Sequence, residues 1–296
     1  MPRSSSPLSV TGFVNIAKPA DMTSSDAVCI VRGVLSRRIG GRQKTGHLGT
    51  LDPLAEGVLP IALGKATALF DFLAFKTKEY IARFTFGRTT DTLDRGGVFL
   101  ADEGRVPTED ELKAALPRFF GDVMQVPPAY SAKSVDGKRA YDLARKGVMP
   151  ELAARPVHIE SIELLASNGA EFTLRIVCGG GTYIRALARD IAAALGTVAF
   201  MSALTRTRSG MFTLEDAVTM DDFRAAPEEH IIPAGRALEG LPRLVLDHKE
   251  ERMIANGVPV PSAYAAGESA AVFSADGGLL GLGQADERGM RLRVRL

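Results

Sequence analysis

The stretch GHLGTLDPLAEGVLP, residues 46–60, holds a single aspartate, Asp52, between a leucine and a proline. Gly46, Gly49 and Gly57 free the backbone there, and Pro53 biases Asp52 toward extended geometry and away from helix. Asp52 is therefore a poor cap for the stretch that follows. An aspartate in a Gly/Pro loop is ordinarily turn chemistry. Against that reading, His47, Thr50, Asp52 and Glu56 sit among apolar residues, so the loop can pack inward. A carboxylate held that way is a candidate nucleophile or general base. No second carboxylate stands at a spacing that reads as a glycosidase pair.

Cationic residues are the other chemical signal. From Ala27 to Leu51 the chain carries Arg32, Arg37, Arg38, Arg42 and Lys44 without one acidic residue. A second cluster is Lys133, Lys138, Arg139, Arg145 and Lys146. Such clusters suit phosphate contacts, and a solvated surface is the plain alternative. Acidic residues gather at 101–103 and 109–111, so a net charge of +1 leaves room for a basic face. Cys29 and Cys178 show no pairing pattern, and the four histidines form no zinc-like cluster. Neither a disulfide scaffold nor a metal is expected, and a cytoplasmic protein fits. The N-terminus lacks a signal-peptide core and no apolar run is long enough to span a membrane.

These residues need elements to position them. GFVNIAKP reads as a strand ending at Pro19. Ser24 or Ser25 can cap a helix through Ala27, Val28, Val31 and Leu35. KEYIARFTFG alternates, with Tyr80, Ala82, Phe84 and Phe86 on one strand face. Thr108 and Glu111 form a capping box, with Pro117 ending or kinking the helix. VHIESIELL and EFTLRIVCG form a hairpin about residues 167–170. TYIRALARDIAAALG is a helix stopped by Gly196. Irregular alternation of helices and hairpins predicts an α+β fold on a mixed or antiparallel central sheet. The texture changes near residues 238–241, and the remainder reads as a small β-rich module. The expected organisation is a disordered tail at 1–10, a catalytic domain at 11–238 with an insertion at about 125–150, and a C-terminal domain at 239–296.

GHLGTLDPLAEGVLP resembles the catalytic motif of the TruB family, the bacterial tRNA pseudouridine-55 synthases. KPADMTSSDAV (18–28) resembles that family's Lys-Pro segment. KEYIARFTFGRTTDTLDRGG (78–97) is similar to its tyrosine strand and Thr-Asp-Thr-x-Asp loop. QVPPAYSAKSVDGKRAYDLARKG (125–147) resembles its RNA-gripping insertion, and CGGGTYIRALARDIAAALG (178–196) its arginine motif. The C-terminal module resembles, more weakly, the PUA domain that many members append.

The resemblance implies a pseudouridine-synthase fold and an isomerase that needs no cofactor and no metal. The glycosidic bond of one uridine in the tRNA T-loop is cut, the base rotates, and it rejoins through C5. Asp52 would be the catalytic carboxylate, attacking C1′ or C6 or removing a sugar proton; all three routes place it in the same small region. Arg185 would be its partner: burial raises a carboxylate pKa and a nearby guanidinium lowers it. Flipping the uridine out costs a few kcal/mol, of which stacking on an aromatic returns about 1–3 kcal/mol. Tyr80 is the implied platform, His47 fills the space left by flipped bases, and Tyr183 lines the pocket. As bare residues, Tyr80 and Tyr183 read equally as core packing and His47 as a structural loop histidine. Lys18, Arg37, Arg38, Arg42, Lys44, Lys138, Arg139 and Arg145 are the implied RNA contacts. The partner is the tRNA T-arm, with no membrane, no protein partner and a monomeric enzyme expected.

The pattern departs from the family at Asp21 in place of glycine, at Leu48 and Glu56 beside the aspartate, and at Ser134 where a lysine is usual. Asp21 tolerates a left-handed turn. Glu56 would oppose ionisation of Asp52 if near it in space. Other readings are a synthase of the guide-RNA-dependent branch, a tRNA-folding chaperone that acts without Asp52, and an RNA-binding protein with a decayed site.

Overall fold

The computed structural model describes residues 10–39, 41–73, 76–130, 134–135, 138–139 and 152–296. Most of the expected tail, and Lys133 and Arg145 of the expected insertion, lie outside the described residues. The side chains of Lys138 and Arg139 lie outside them as well.

The chain runs β1 (Gly12–Lys18), α1 (Ser24–Ile39), β2 (Thr45–His47), β3 (Glu56–Leu63) and a 3₁₀ turn (Gly64–Leu69) leading into α2 (Phe70–Leu73). β4 (Lys78–Phe86), β5 (Arg88–Thr90), β6 (Phe99–Glu103), α3 (Glu109–Ala115) and β7 (Gly121–Gln125) follow. After the short pair β8 (Ser134–Val135) and β9 (Lys138–Arg139) come the long hairpin β10 (Arg155–Asn168) and β11 (Glu171–Cys178), then α4 (Ile184–Ala194). β12 (Ala199–Ser209), β13 (Phe212–Thr213), α5 (Met220–Ala225) and β14 (Ile232–Pro233) complete the first unit. β15 (Arg243–Val245), α6 (His248–Ala255), β16 (Ser269–Phe273), β17 (Leu279–Asp286) and β18 (Gly289–Arg295) form the second.

The central sheet is ordered β14-β1-β3-β12-β4-β11-β10-β7, with β2 added on β3 and β13 on β12. It is mixed because β12 pairs β3 in parallel, at Thr205–Glu56 and Arg206–Gly57, while its other ladders are antiparallel. That junction requires glycine: Gly57 has φ +100°, and a Cβ there would lie 2.3 Å from the Arg206 carbonyl oxygen. On β4, Tyr80, Ala82, Phe84 and Phe86 are all buried, as period-2 alternation demands. Helix α1 lays Ala27, Val28, Val31, Val34 and Leu35 into the same core.

The helix caps follow local chemistry. Thr108 and Glu111 close a reciprocal capping box on α3, which stops at Ala115 before a 3₁₀ turn containing Pro117. For α1 the cap is Thr23, one residue ahead of the expected serines. Its hydroxyl accepts from the Asp26 amide at 3.0 Å, and Asp26 accepts from the Thr23 amide at 3.2 Å. Ser24 is released for another task, described below.

The second sheet, β15-β16-β17-β18, lies wholly within residues 243–295. It is joined to the first by more than a linker. Ala271, Leu282 and Val294 share one apolar cluster with Phe13, Ala62, Leu69 and Phe212.

Candidate active site

The loop between β2 and β3 carries Asp52, and several backbone polar groups near it are held, the carbonyls of residues 49–53 above all. Leu48 N donates to Pro60 O at 2.9 Å, Ala55 N to Asp52 O at 3.0 Å, and Asp21 N to Pro53 O at 2.8 Å. Ser24, buried at the start of α1, donates its hydroxyl to Leu51 O at 2.8 Å and accepts from Leu51 N at 2.9 Å. Arg206, on β12 and only 1% exposed, reaches across the parallel junction. Its guanidinium donates to Val58 O at 2.8 Å, Gly49 O at 3.0 Å and Thr50 O at 3.4 Å. Asp21 sits in the left-handed region at φ +62°, so the turn opposite Pro53 survives the departure from glycine.

Lys18 belongs to this scaffold. It was expected among the RNA contacts, but it is 1% exposed. Its ammonium donates to the carbonyls of Pro19 (2.8 Å), Met22 (2.7 Å) and Pro53 (3.2 Å). All three donors are used inside the protein, so no phosphate reaches it in this structure. Burial pushes its pKa down to about 8, although Asp21 and Asp52 pull it upward.

The held loop leaves one polar group partly open. The Asp52 side chain is 33% exposed, against 7% for Arg185 and 10% for Asp94. Arg185, in the first turn of α4, presents Nε to Asp52 Oδ2 at 2.8 Å and Nη1 to Asp94 Oδ2 at 3.3 Å. Nη1 also donates to the Thr92 carbonyl and Nη2 to that of Tyr130, both at 3.0 Å. One planar fork therefore serves two carboxylates and two carbonyls, a task lysine cannot perform. Asp94 is itself oriented by Thr92 Oγ1 at 2.8 Å and the Gly96 amide at 2.9 Å. Glu56 is exposed and accepts from Thr205 Oγ1 at 3.0 Å.

His47 and Tyr80 flank Arg206. The His47 Nδ1 is buried with no hydrogen-bond partner among the described residues. Burial, and then the charge of Arg206, hold its pKa below the ordinary value, so the ring is neutral at pH 7. Tyr80 is 7% exposed, its ring in the main core. Burial raises its phenol pKa, while Arg206 interacts with the hydroxyl and opposes that rise. Tyr183 caps α4 at the backbone: its amide donates to Gln125 Oε1 at 2.8 Å and its carbonyl accepts from Gln125 Nε2 at 3.2 Å. Arg37, Arg38, Arg42 and Lys44 are all exposed at the end of α1 and the approach to β2. Among the described residues no three His, Cys, Asp or Glu side chains gather as a metal site.

Ser24, Asp94 and Arg206 carry the geometry of the site; Ser24 was expected only as a helix cap, and Asp94 and Arg206 were assigned no role. Asp94 stood in a quoted motif, TTDTLD. Arg206 had one available signal, its parity with buried Leu204 on β12.

Comparison with known proteins gives this arrangement a class. Residues 37–184 match the family described as TruB family pseudouridylate synthase (N terminal domain), and residues 185–239 match the tRNA pseudouridylate synthase B C-terminal domain. The fold is that of a pseudouridylate synthase. The tRNA pseudouridine synthase B of Caulobacter sp. (strain K31) is 41% identical over 254 residues, covering 84% of this chain and 80% of that protein. That of Clostridium tetani (strain Massachusetts / E88) is 38% identical over 290 residues, 96% of this chain and 98% of that one. Among solved structures, a chain of a Cbf5-Nop10-Gar1 complex superposes with a TM-score of 0.72 at 28% identity, over 97% of this chain and 84% of that chain. The chain belongs to the TruB family. The C-terminal match stops at residue 239, so the sheet of residues 243–295 lies beyond both matched ranges.

Proposed function

We propose that this chain converts uridine 55 in the T-loop of tRNA to pseudouridine, with Asp52 as the catalytic carboxylate. The observation that carries the proposal is the Arg185–Asp52 contact at 2.8 Å on a loop whose carbonyls are tied down by Lys18, Ser24 and Arg206. A carboxylate so fixed, yet one-third exposed, can meet the base–sugar junction of a nucleoside entering from solvent. The C1′–N1 bond breaks, the uracil turns, and C1′ bonds to C5. The proton lost from C5 is balanced by the one gained at N1, so the reaction needs no co-reactant. His47, with its unpartnered Nδ1, and Tyr80 and Tyr183 form the surroundings of the flipped base. Arg37, Arg38, Arg42 and Lys44 hold phosphates of the T-arm, with Lys138, Arg139 and Arg145 extending that grip. The sheet of residues 243–295 is a PUA-like module. Two free cysteines, one exposed and one buried, fit a cytoplasmic location.

A tRNA substrate is favoured over a guide-RNA assembly by the relatives. Curated proteins named for tRNA share 38–42% identity with this chain. A chain of an H/ACA RNP bound to a substrate RNA shares 26%. The test is incubation with an unmodified tRNA transcript followed by mapping of pseudouridine. Product at position 55, abolished by Asp52→Asn with tRNA binding retained, is expected. Product at another position, or an active Asp52→Asn protein, overturns the proposal.

A further inference from the structure

The described residues contain a basic groove, enclosing about 420 Å³, in the seam between the catalytic unit and the C-terminal sheet. One wall is the segment before β2, with Arg42 and Lys44. The other is the 3₁₀ turn at Lys65 and Thr67, and Arg295 of β18 closes the end. All four cations are exposed, and no acidic side chain lines the groove. Their placement is fixed from below. The Gly64 amide donates to Lys44 O at 2.8 Å, which locks the two walls together. Lys65 Nζ donates to Leu296 O at 3.2 Å, and Arg295 Nη2 to Ala255 O at 3.0 Å. The bond from Arg295 neutralises no charge, since Ala255 O is a peptide carbonyl oxygen. Arg42 and Lys44 have no ion-pair partner among the described residues.

We propose that the Lys65 and Arg295 end of this groove carries the phosphate backbone of the tRNA on beyond the T-arm, whose own phosphates Arg42 and Lys44 hold at the other end. The inference rests on the tRNA reading given above and extends it. Arg42, Lys44 and Arg295, three like charges facing one groove that no acidic side chain lines, repel one another, and a polyanion relieves that cost. The groove also continues the RNA path. Lys44 is three residues before His47 on extended chain, about 10 Å along β2 from the site where the base is to be handled. A strand that leaves the active site along β2 runs into the seam. A polyphosphate backbone is the ligand that uses several spaced cations at once, whereas a single small anion would use two at most.

The experiment compares full-length unmodified tRNA with an isolated T-arm hairpin, using Lys65→Gln/Arg295→Gln protein. Binding is measured across a salt series. Removing two phosphate contacts should flatten the log K against log salt slope for full-length tRNA by about 1.4–1.8. Affinity at low salt should fall on the order of tenfold. Slope, affinity and pseudouridine formation with the hairpin should stay at parental values. The charge-keeping variant Lys65→Arg/Arg295→Lys should behave as the parent on both RNAs, which separates charge from any loosening around Ala255. An unchanged slope with full-length tRNA overturns the proposal. So does an equal change with the hairpin. So does protection of Lys65 from acylation by pyrophosphate but not by full-length tRNA, which would mark a small-anion site. Failure of the parent protein to modify either RNA would refute the enzymatic reading instead, and is read separately from the slopes.

Discussion

Replacing Arg206 with methionine removes a cation that touches no solvent while keeping much of its volume. Two of its bonds are good charge-assisted ones, to Val58 O at 2.8 Å and Gly49 O at 3.0 Å; the third, to Thr50 O at 3.4 Å, is weak. At about 1.5–3 kcal/mol for each good bond, the Asp52 loop loses roughly 3–6 kcal/mol of local support. Part of this returns because a buried charge no longer has to be desolvated, leaving a stability loss of about 2–3 kcal/mol. The kinetic effect should be sharper. Gly49 and Thr50 are three and two residues from Asp52, and an ångström of misplacement at a reacting group costs on the order of 10²-fold in rate. Affinity for tRNA should hold, because a residue 1% exposed cannot reach the RNA. The assay is single-turnover pseudouridine formation beside equilibrium tRNA binding. An NMR titration of His47 supplies a second readout, since Arg206 helps to lower that pKa and its loss should move it upward. A folded Arg206→Met protein whose single-turnover rate stays within about threefold of the parent would refute the reasoning.

Arg185→Lys leaves a charge but cannot serve Asp52, Asp94, Thr92 O and Tyr130 O together. Losing about two charge-assisted bonds should cut single-turnover rate on the order of 10²–10⁴-fold with tRNA affinity little changed; an equal loss in both would count against it. Lys18 releases its proton near 8 when folded, against an ordinary 10.5. Between these values the unfolded chain binds the extra proton, so this group makes stability rise with pH across the window, by about 3 kcal/mol in total. Urea midpoints should therefore show the Lys18→Met protein losing ground to the parent from pH 8 to 10.5, and a constant difference would contradict the assignment. Gly57→Ala forces a side chain into left-handed backbone against the Arg206 carbonyl. It should cost about 2–4 kcal/mol in urea denaturation; a loss below about 0.5 kcal/mol would mean the β3–β12 junction tolerates a side chain.

The pattern of residues revealed more of the chain's outline than of its wiring. Alternation on β4 and the capping box at Thr108 are local signals, and the structure realises both. Asp52 stood out in its loop as a candidate nucleophile or base, but Arg185 and its pairing with Asp52 were legible only through the motif, since their meeting depends on how α4 packs. Lys18 misled because every residue of β1 but Ala17 is buried, so no alternation told which way it pointed. A charged side chain at the end of a strand is ordinarily solvated, and that expectation fails where carbonyls converge on it. Arg206 was hidden for the same reason. Thr23 rather than Ser24 caps α1 because Ser24 is engaged by Leu51, a contact that separation by 27 residues conceals.

The apolar cluster shared by Ala271, Leu282 and Val294 with Phe13, Ala62 and Leu69 has an evolutionary and practical cost. A premature stop codon ahead of β15 would strip the cover from a dry wall of the larger unit. Such a truncated product would be met first by proteases and chaperones, before any defect in handling RNA could be noticed. Deleting the end of the gene is therefore a poor way to ask what that end contributes to recognition, and point changes on its outer face are the informative alternative.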